Sequence, residues 1–148
     1  MKTDVTVLSN NISNKLLLNY KGYYVIKRNF SYDELVLKKK VVFFNILDNI
    51  NYLDVSKLFD FLRKKNVNFI NITNNSELAL LTKYTTIYKD DKIVLEGETL
   101  KVMENDSIFR KLGLKIPFMI NLSILLKDYG VINEIVTDMD SLRDMLWK

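Results

Sequence analysis

Residues 43–54 read FFNILDNINYLD and place carboxylates where phosphate chemistry would use them. An apolar run ends at Asp48, and a Leu53-Asp54 pair closes the stretch. An apolar run closed by a carboxylate has the outline of a nucleotide-hydrolysing site. The next position would then need a second carboxylate to activate water. It carries Asn49, whose amide takes no proton from water. Upstream, VTVLSNNISNK sets Lys15 behind a polar, turn-like loop.

Composition excludes several other chemistries. The 148 residues include no histidine and no cysteine. Ser-His and Cys-His nucleophiles, disulfides and thiolate zinc sites are therefore ruled out. The balance of 48% hydrophobic and 27% charged residues, with one proline and four glycines, is that of one globular domain with a sizeable core. No apolar stretch reaches the roughly 18–20 residues of a membrane span. The opening MKTDVTVLSNN lacks the charged start and apolar stretch of a signal peptide, so a cytoplasmic location is the expectation. The net charge of +4 comes mostly from lysine, with runs at Lys38-Lys39-Lys40 and Arg63-Lys64-Lys65. Cations beside the aromatic residues of 20–32 would suit a nucleic-acid surface. Solvated faces and element ends explain the same lysines more simply, and the Asn, Lys and Ile excess reads as compositional bias.

Periodicity and turn signals predict an α/β layered sheet. Strands are expected at 4–8, 23–27, 41–47 and 67–73. A hairpin is expected from 84–89 and 92–96 around Asp90-Asp91. A helix can open at 15–20. Helices are expected at 31–40, with Ser31 and Glu34 as a capping box, at 55–65, and at 76–81, capped by Asn75 or Ser76. Asp54 fits the N-cap of helix 55–65. Short helices at 99–103, 107–112, 118–129 and 141–147 fill the remainder, with Gly113 and Gly130 at helix ends.

The stretch from Leu53 onward resembles the ATPase subunits of ABC transporters, nearest to the energy-coupling factor (cobalt- and vitamin-uptake) branch. INITNNSELALLTKYTTIYKDDKIVLEGETLKVM resembles the switch-histidine strand, the following helix and a hairpin ending in G-x-I-x-x-E-G-x-x-x-x-V. IFRKLGLKIPFMINLSILLKDYG and MDSLRDMLWK resemble that branch's C-terminal domain and terminal helix. Upstream, VTVLSNNISNKLLL resembles the strand, Walker A loop and helix, with Lys15 on the phosphate-binding lysine. KGYYVIKRNFSYDELVLKKKV resembles the next hairpin and the basic segment before the Q-loop. FFNILDNINYLD resembles Walker B running into the D-loop, with Asp48 on the magnesium aspartate, Asn49 on the catalytic glutamate and Asp54 on the D-loop aspartate. Residues 41–50 also fit the Q-loop strand, with Asn45 in place of glutamine.

The departures fall on the chemistry. A Walker A loop needs glycines, because its N–H groups curl around phosphate where Cβ atoms obstruct. Ser9, Ile12 and Asn14 stand in those positions, and β-branched Ile12 falls where a positive φ is expected. Leu16 replaces the magnesium-ligating hydroxyl, and Asn74 replaces the switch histidine. The signature segment and helical subdomain fall in a deletion near residues 40–46.

The resemblance therefore implies a shortened P-loop NTPase-like α/β core over residues 1–98 and a C-terminal helical region over 99–148. Asn11, Ser13, Asn14 and Lys15 would be a vestigial nucleotide loop, with Asp48 a vestigial metal position and Asp54 a D-loop remnant. Expected catalytic residues, resident metal and cofactor are none, with at most weak ATP and magnesium binding. The expected role is a degenerate, catalytically inactive ATP-binding-subunit-like protein that pairs with an intact ABC ATPase, another transporter component or a second copy, and meets the membrane only indirectly. Leu146 and Trp147 are the interface candidates. The competing readings are a working ATP-binding subunit with a composite site, and a basic nucleic-acid-binding protein. Bare residue types also allow Lys15 as a surface lysine, Asp48 and Asn74-Asn75 as turn and cap residues, and the tail helices as plain core.

Overall fold

The computed structural model describes residues 3–147. Met1, Lys2 and Lys148, at the ends of the two expected regions, lie outside the described residues. The strands are β1 (Val5–Leu8), β2 (Tyr24–Ile26), β3 (Lys40–Phe44), β4 (Asn68–Thr73), β5 (Tyr84–Lys89) and β6 (Lys92–Glu98). They form one six-stranded sheet in the order β2-β3-β4-β1-β5-β6. All neighbours pair in parallel except β5 and β6, which form an antiparallel hairpin. The expected α/β architecture is present.

Connection rules explain the layering. Parallel crossovers are right-handed, so the direction in which the chain moves along the sheet decides which face a connection covers. From β2 to β3, β4 and β5 the chain moves one way. The intervening helices α1 (Tyr32–Lys38), α2 (Tyr52–Lys64) and α3 (Ser76–Ala79) share one face. Their cluster joins Leu35, Leu58, Phe59, Leu62 and Leu78 to Val41, Phe43 and Phe69 of the sheet. The step from β1 to β2 runs the opposite way and covers the other face. A seven-residue 3-10 helix, Asn14–Tyr20, lies in that connection. There Leu16, Leu17 and Tyr20 meet Val5, Val7, Val42, Ile70, Ile72 and Tyr88. The helices α4 (Thr99–Met103), α5 (Asp106–Lys111) and α6 (Phe118–Asp128) share a core with Leu8, Ala79 and Ile87. Helix α7 (Met139–Leu146) closes a small cluster of Ile132, Val136 and Leu142.

Local chemistry sets most boundaries. Ser31 Oγ accepts from the Glu34 N–H at 3.3 Å, one half of the expected capping box, while the Glu34 carboxylate accepts from the Tyr24 hydroxyl at 2.8 Å. Asn75 caps α3 by accepting from the Glu77 N–H. Asp90 and Asp91 both take positive φ, 50° and 67°, as a two-residue hairpin turn requires. Gly113 and Gly130 take φ of 70° and 73° just past α5 and α6.

Four expectations are corrected. Strand 41–47 ends at Phe44, because Asn45 turns left-handed at φ 54° and its N–H donates to Ile72 O. Asparagine tolerates this conformation through local side-chain hydrogen bonding. The helix expected at 55–65 starts at Tyr52, because the Asn51 side chain accepts from the Leu53 N–H at 2.8 Å. Asp54 therefore lies inside the first turn and is not the cap. The hairpin implied for 21–40 is a single parallel edge strand, β2, followed by α1. The stretch after Lys15 is a 3-10 helix and not an α-helix.

The Phe59 ring stacks on Phe69 at 4.7 Å and lies 6.4 Å from Phe43. Phe59→Ala is expected to cost about 3–5 kcal/mol in urea unfolding. Leu37→Ala, at a site 79% exposed, should change stability by less than about 0.5 kcal/mol. On the other face, burial raises the Tyr20 hydroxyl above the ordinary tyrosine range, helped by its hydrogen bond with Tyr88 and by nearby Glu96. The unfolded chain releases this proton near pH ~10, before the folded chain does. The resulting stability is complete below that pH and falls as pH rises above it. Tyr20→Phe should flatten the loss of stability measured between pH 9 and 11.

Candidate functional site

In open α/β sheets, ligands bind outside the carboxyl ends of the strands, where neighbouring connections depart in opposite directions. Here that point lies between β1 and β4. Chain continuity brings three short segments to it: residues 9–13 after β1, 45–49 after β3 and 74–75 after β4. The Ser9 N–H donates to Thr73 O at 3.3 Å, which joins the first and last of these. The Asn45–Ile72 bond joins the second.

Asp48 lies in a one-turn 3-10 helix, Leu47–Asn49, and is partly buried. Its carboxylate accepts a short hydrogen bond from Thr73 Oγ1. The same hydroxyl accepts from the Asn75 N–H at 2.9 Å. Thr73 thus ties Asp48 to the turn that starts α3. Asn49 and Asn74 are exposed beside it, as is Asp54 on α2. Two further buried polar groups sit nearby in sequence, the Asn71 amide and the Ser76 hydroxyl, neither with a hydrogen-bond partner among the described residues. Thr73 and Asn71 were not among the expected site residues. Their signal was polar residues at alternate positions in the otherwise apolar strand NFINIT.

The loop after β1 is shaped differently from a phosphate cradle. None of residues 9–15 has a positive φ, including Ile12. Ser13 is extended at φ −130°, ψ 161°, and its side chain caps nothing. The Ser9 hydroxyl folds back on its own loop, accepting from the Asn11 N–H and donating to Asn11 O. A loop N–H that would face a phosphate is therefore spent internally. Asn11 and Asn14 are exposed, and Lys27 Nζ donates to Asn14 Oδ1 at 3.1 Å. Lys15 is exposed, with no hydrogen bond or ion pair among the described residues. At the loop mouth, the Ser13 hydroxyl lies 3.5 Å from the Asp91 carboxylate of the hairpin turn. The hollow between this loop, the hairpin and α5 measures 170 Å³, below the usual range for ligand pockets. These residues do not fit a magnesium polyphosphate. The Asn11 N–H is engaged by Ser9, Lys15 is exposed and the Asp91 carboxylate lies at the loop mouth.

Elsewhere, Leu146 is 38% and Trp147 80% exposed at the end of α7. Among the described residues, no helix is long and apolar enough to cross a membrane.

Comparison with known proteins adds sequence evidence. The chain is 28% identical over 119 residues to the energy-coupling factor transporter ATP-binding protein EcfA1 of Mesomycoplasma hyopneumoniae strain 7448. The EcfA1 of strain J of the same organism matches at the same 28%. The chain is similar to an energy-coupling factor ABC ATPase. The match covers 77% of this chain and 42% of EcfA1, so the chain spans less than half of its relative's length. Among solved structures, cbiO1 of Clostridium perfringens, part of the ABC transporter complex cbiONQ, aligns with a TM-score of 0.43. That alignment has 14% identity and covers 62% of this chain and 38% of the other. No family model matches the chain.

The Asp48–Thr73 pair makes a direct expectation. Thr73→Val should destabilise the protein by about 1–3 kcal/mol, because it leaves a half-buried carboxylate and an N–H without their partner. Asp48→Ala in that background should cost much less than Asp48→Ala alone, as a double-mutant cycle by chemical denaturation would show.

Proposed function

We propose that this protein is a degenerate relative of the energy-coupling factor ATP-binding subunits that has given up nucleotide hydrolysis and works by binding another protein. The observation that carries this reading is the loop after β1. It stands at the β1–β4 switch point, yet it has no positive-φ residue, its Asn11 N–H is taken by Ser9 and Asp91 lies at its mouth. Electrostatic stabilisation by aligned donors supplies much of the rate in phosphoryl transfer, and it has no counterpart in this loop. Asn49 and Asn74 likewise offer no base and no titrating group at the positions they occupy.

The remaining surface supports a binding role. The C-terminal segment presents large side chains to solvent: Phe118 at 66%, Tyr129 at 82%, Met139 at 60% and Trp147 at 80% exposed. Aromatic side chains of this kind are the usual anchors of protein interfaces. The partner of first choice is an intact ATPase of the same type, because the chain is 28% identical over 119 residues to one such subunit.

Two measurements test the proposal. Calorimetric titration with ATP and magnesium should give no saturable heat at millimolar nucleotide, and Lys15→Ala should behave identically. Micromolar binding abolished in Lys15→Ala would refute it and restore the composite-site reading. Mixed with an energy-coupling factor ATPase, the protein should co-elute as a complex. Trp147→Ala should weaken that complex by at least about tenfold, in line with loss of an aromatic anchor.

A further inference from the structure

The second face of the sheet carries an opening that the switch-point site does not use. The crossover from β1 to β2 has a short 3-10 helix where the other face has several α-helices. A cavity of 420 Å³ remains between that helix, the sheet and β6. Its floor is apolar, with Val5 and Ile70 side by side in register. Tyr20 and Tyr88 form a wall, their hydroxyls 3.3 Å apart, and Tyr23 packs edge-on against Tyr20 at 6.2 Å. Glu96 projects from β6, paired across the hairpin with Thr86.

The charge pattern selects the ligand. Among the described residues, Glu96 is the only acidic or basic residue lining the cavity, and none of them forms an ion pair with it. An anion would meet an uncompensated carboxylate there. A bare divalent metal would find one carboxylate where it needs several oxygen ligands. A compact organic cation satisfies every element, because the ring faces and carboxylate attract the charge while the floor receives its apolar groups. The neighbouring rings already draw ammonium groups from within the chain. Lys40 Nζ lies 5.9 Å from the Tyr23 ring centre and Lys83 Nζ 5.4 Å from that of Tyr84.

We propose that the cavity between the 3-10 helix 14–20 and strands β1, β5 and β6 binds a small alkylammonium molecule, held by Tyr20, Tyr88 and Glu96. The inference does not depend on the proposed protein-binding role. Its site is remote in function from the loop after β1, and it needs neither nucleotide nor partner.

The probe is choline, titrated into the full-length protein and followed by two-dimensional NMR. Its neutral isostere, 3,3-dimethyl-1-butanol, serves as the control. Choline should saturate with a Kd of about 1 mM or tighter, shifting resonances of Tyr20, Tyr88 and Glu96, while the alcohol binds at least about tenfold more weakly. Glu96→Gln, at an exposed position whose side chain makes no hydrogen bond among the described residues, should keep the fold by circular dichroism and lose about tenfold in choline affinity. Three results would each overturn the proposal: no saturation by 10 mM choline, equal binding of the neutral alcohol, or unchanged affinity in Glu96→Gln. The first two use the unaltered protein, so they hold whatever the variant does.

Discussion

The rest of the structure depends on the parallel pairing of β1 on both of its edges. Val5–Leu8 is only four residues long, and all four are buried. It pairs with Ile70–Thr73 on one side and Tyr84–Ile87 on the other. Two strands that are consecutive in the chain but far from β1 in sequence are thereby held in one register by it. Such non-local pairing must overcome loop-closure entropy before it gives any stability. A second tie reinforces it. The Arg63 guanidinium makes paired hydrogen bonds with the Asp4 carboxylate, at 2.6 and 3.0 Å, and the Lys83 N–H donates to the same carboxylate at 3.1 Å. One aspartate thus links the start of β1, the end of α2 and the approach to β5. A bidentate, charge-assisted pair of this kind is among the stronger polar contacts available near a surface.

That central strand also distributes the chemistry. The chain leaves β1 in one direction along the sheet and leaves β4 in the other. The two departures create the switch point at which Ser9, Thr73 and Asp48 meet. They also give the two faces unequal cover. One face receives α1 to α3 and the C-terminal helices, whereas the β1–β2 connection contributes a 3-10 helix to the other. The tyrosine-walled cavity is the direct consequence. The polar switch point and the aromatic opening therefore have a common topological origin, although their residues suit different ligands.

The loop after β1 shows how side chains redirect a backbone without altering its place in the fold. A glycine-rich loop could curl its amides outward around an anion. With Ser9, Ile12 and Asn14 at those positions, the loop stays in the negative-φ regions open to ordinary residues. The Ser9 hydroxyl then bonds locally, to the backbone of Asn11. The hairpin turn, made from two aspartates that tolerate left-handed φ, brings Asp91 to the same place. Position in the sheet is set by pairing and packing, while the capacity to hold phosphate rests on backbone conformation and local charge.

Much of the fold was legible in the sequence because its signals were local. The apolar runs of β3 and β4, the Ser31-Glu34 cap, the Asp90-Asp91 turn and the glycines after α5 and α6 each act within a few residues. Asn45 and Asn51 moved two boundaries because an asparagine can turn a strand or cap a helix, and only the surrounding pairing selects which. Asp48 and the residues around Lys15 could be singled out from residue type and order. Thr73 could not, because its role depends on β4 lying beside β3. The cavity was equally hidden, since Tyr20, Tyr88 and Glu96 are brought together by a parallel pairing and a hairpin. By itself the sequence determined the α/β class and the exclusion of histidine and cysteine chemistry, and it singled out the loop after β1 and Asp48. Tertiary structure alone decided the strand order, the Asp48–Thr73 bond and the open tyrosine face. Those features arise from contacts between segments whose proximity no local propensity encodes.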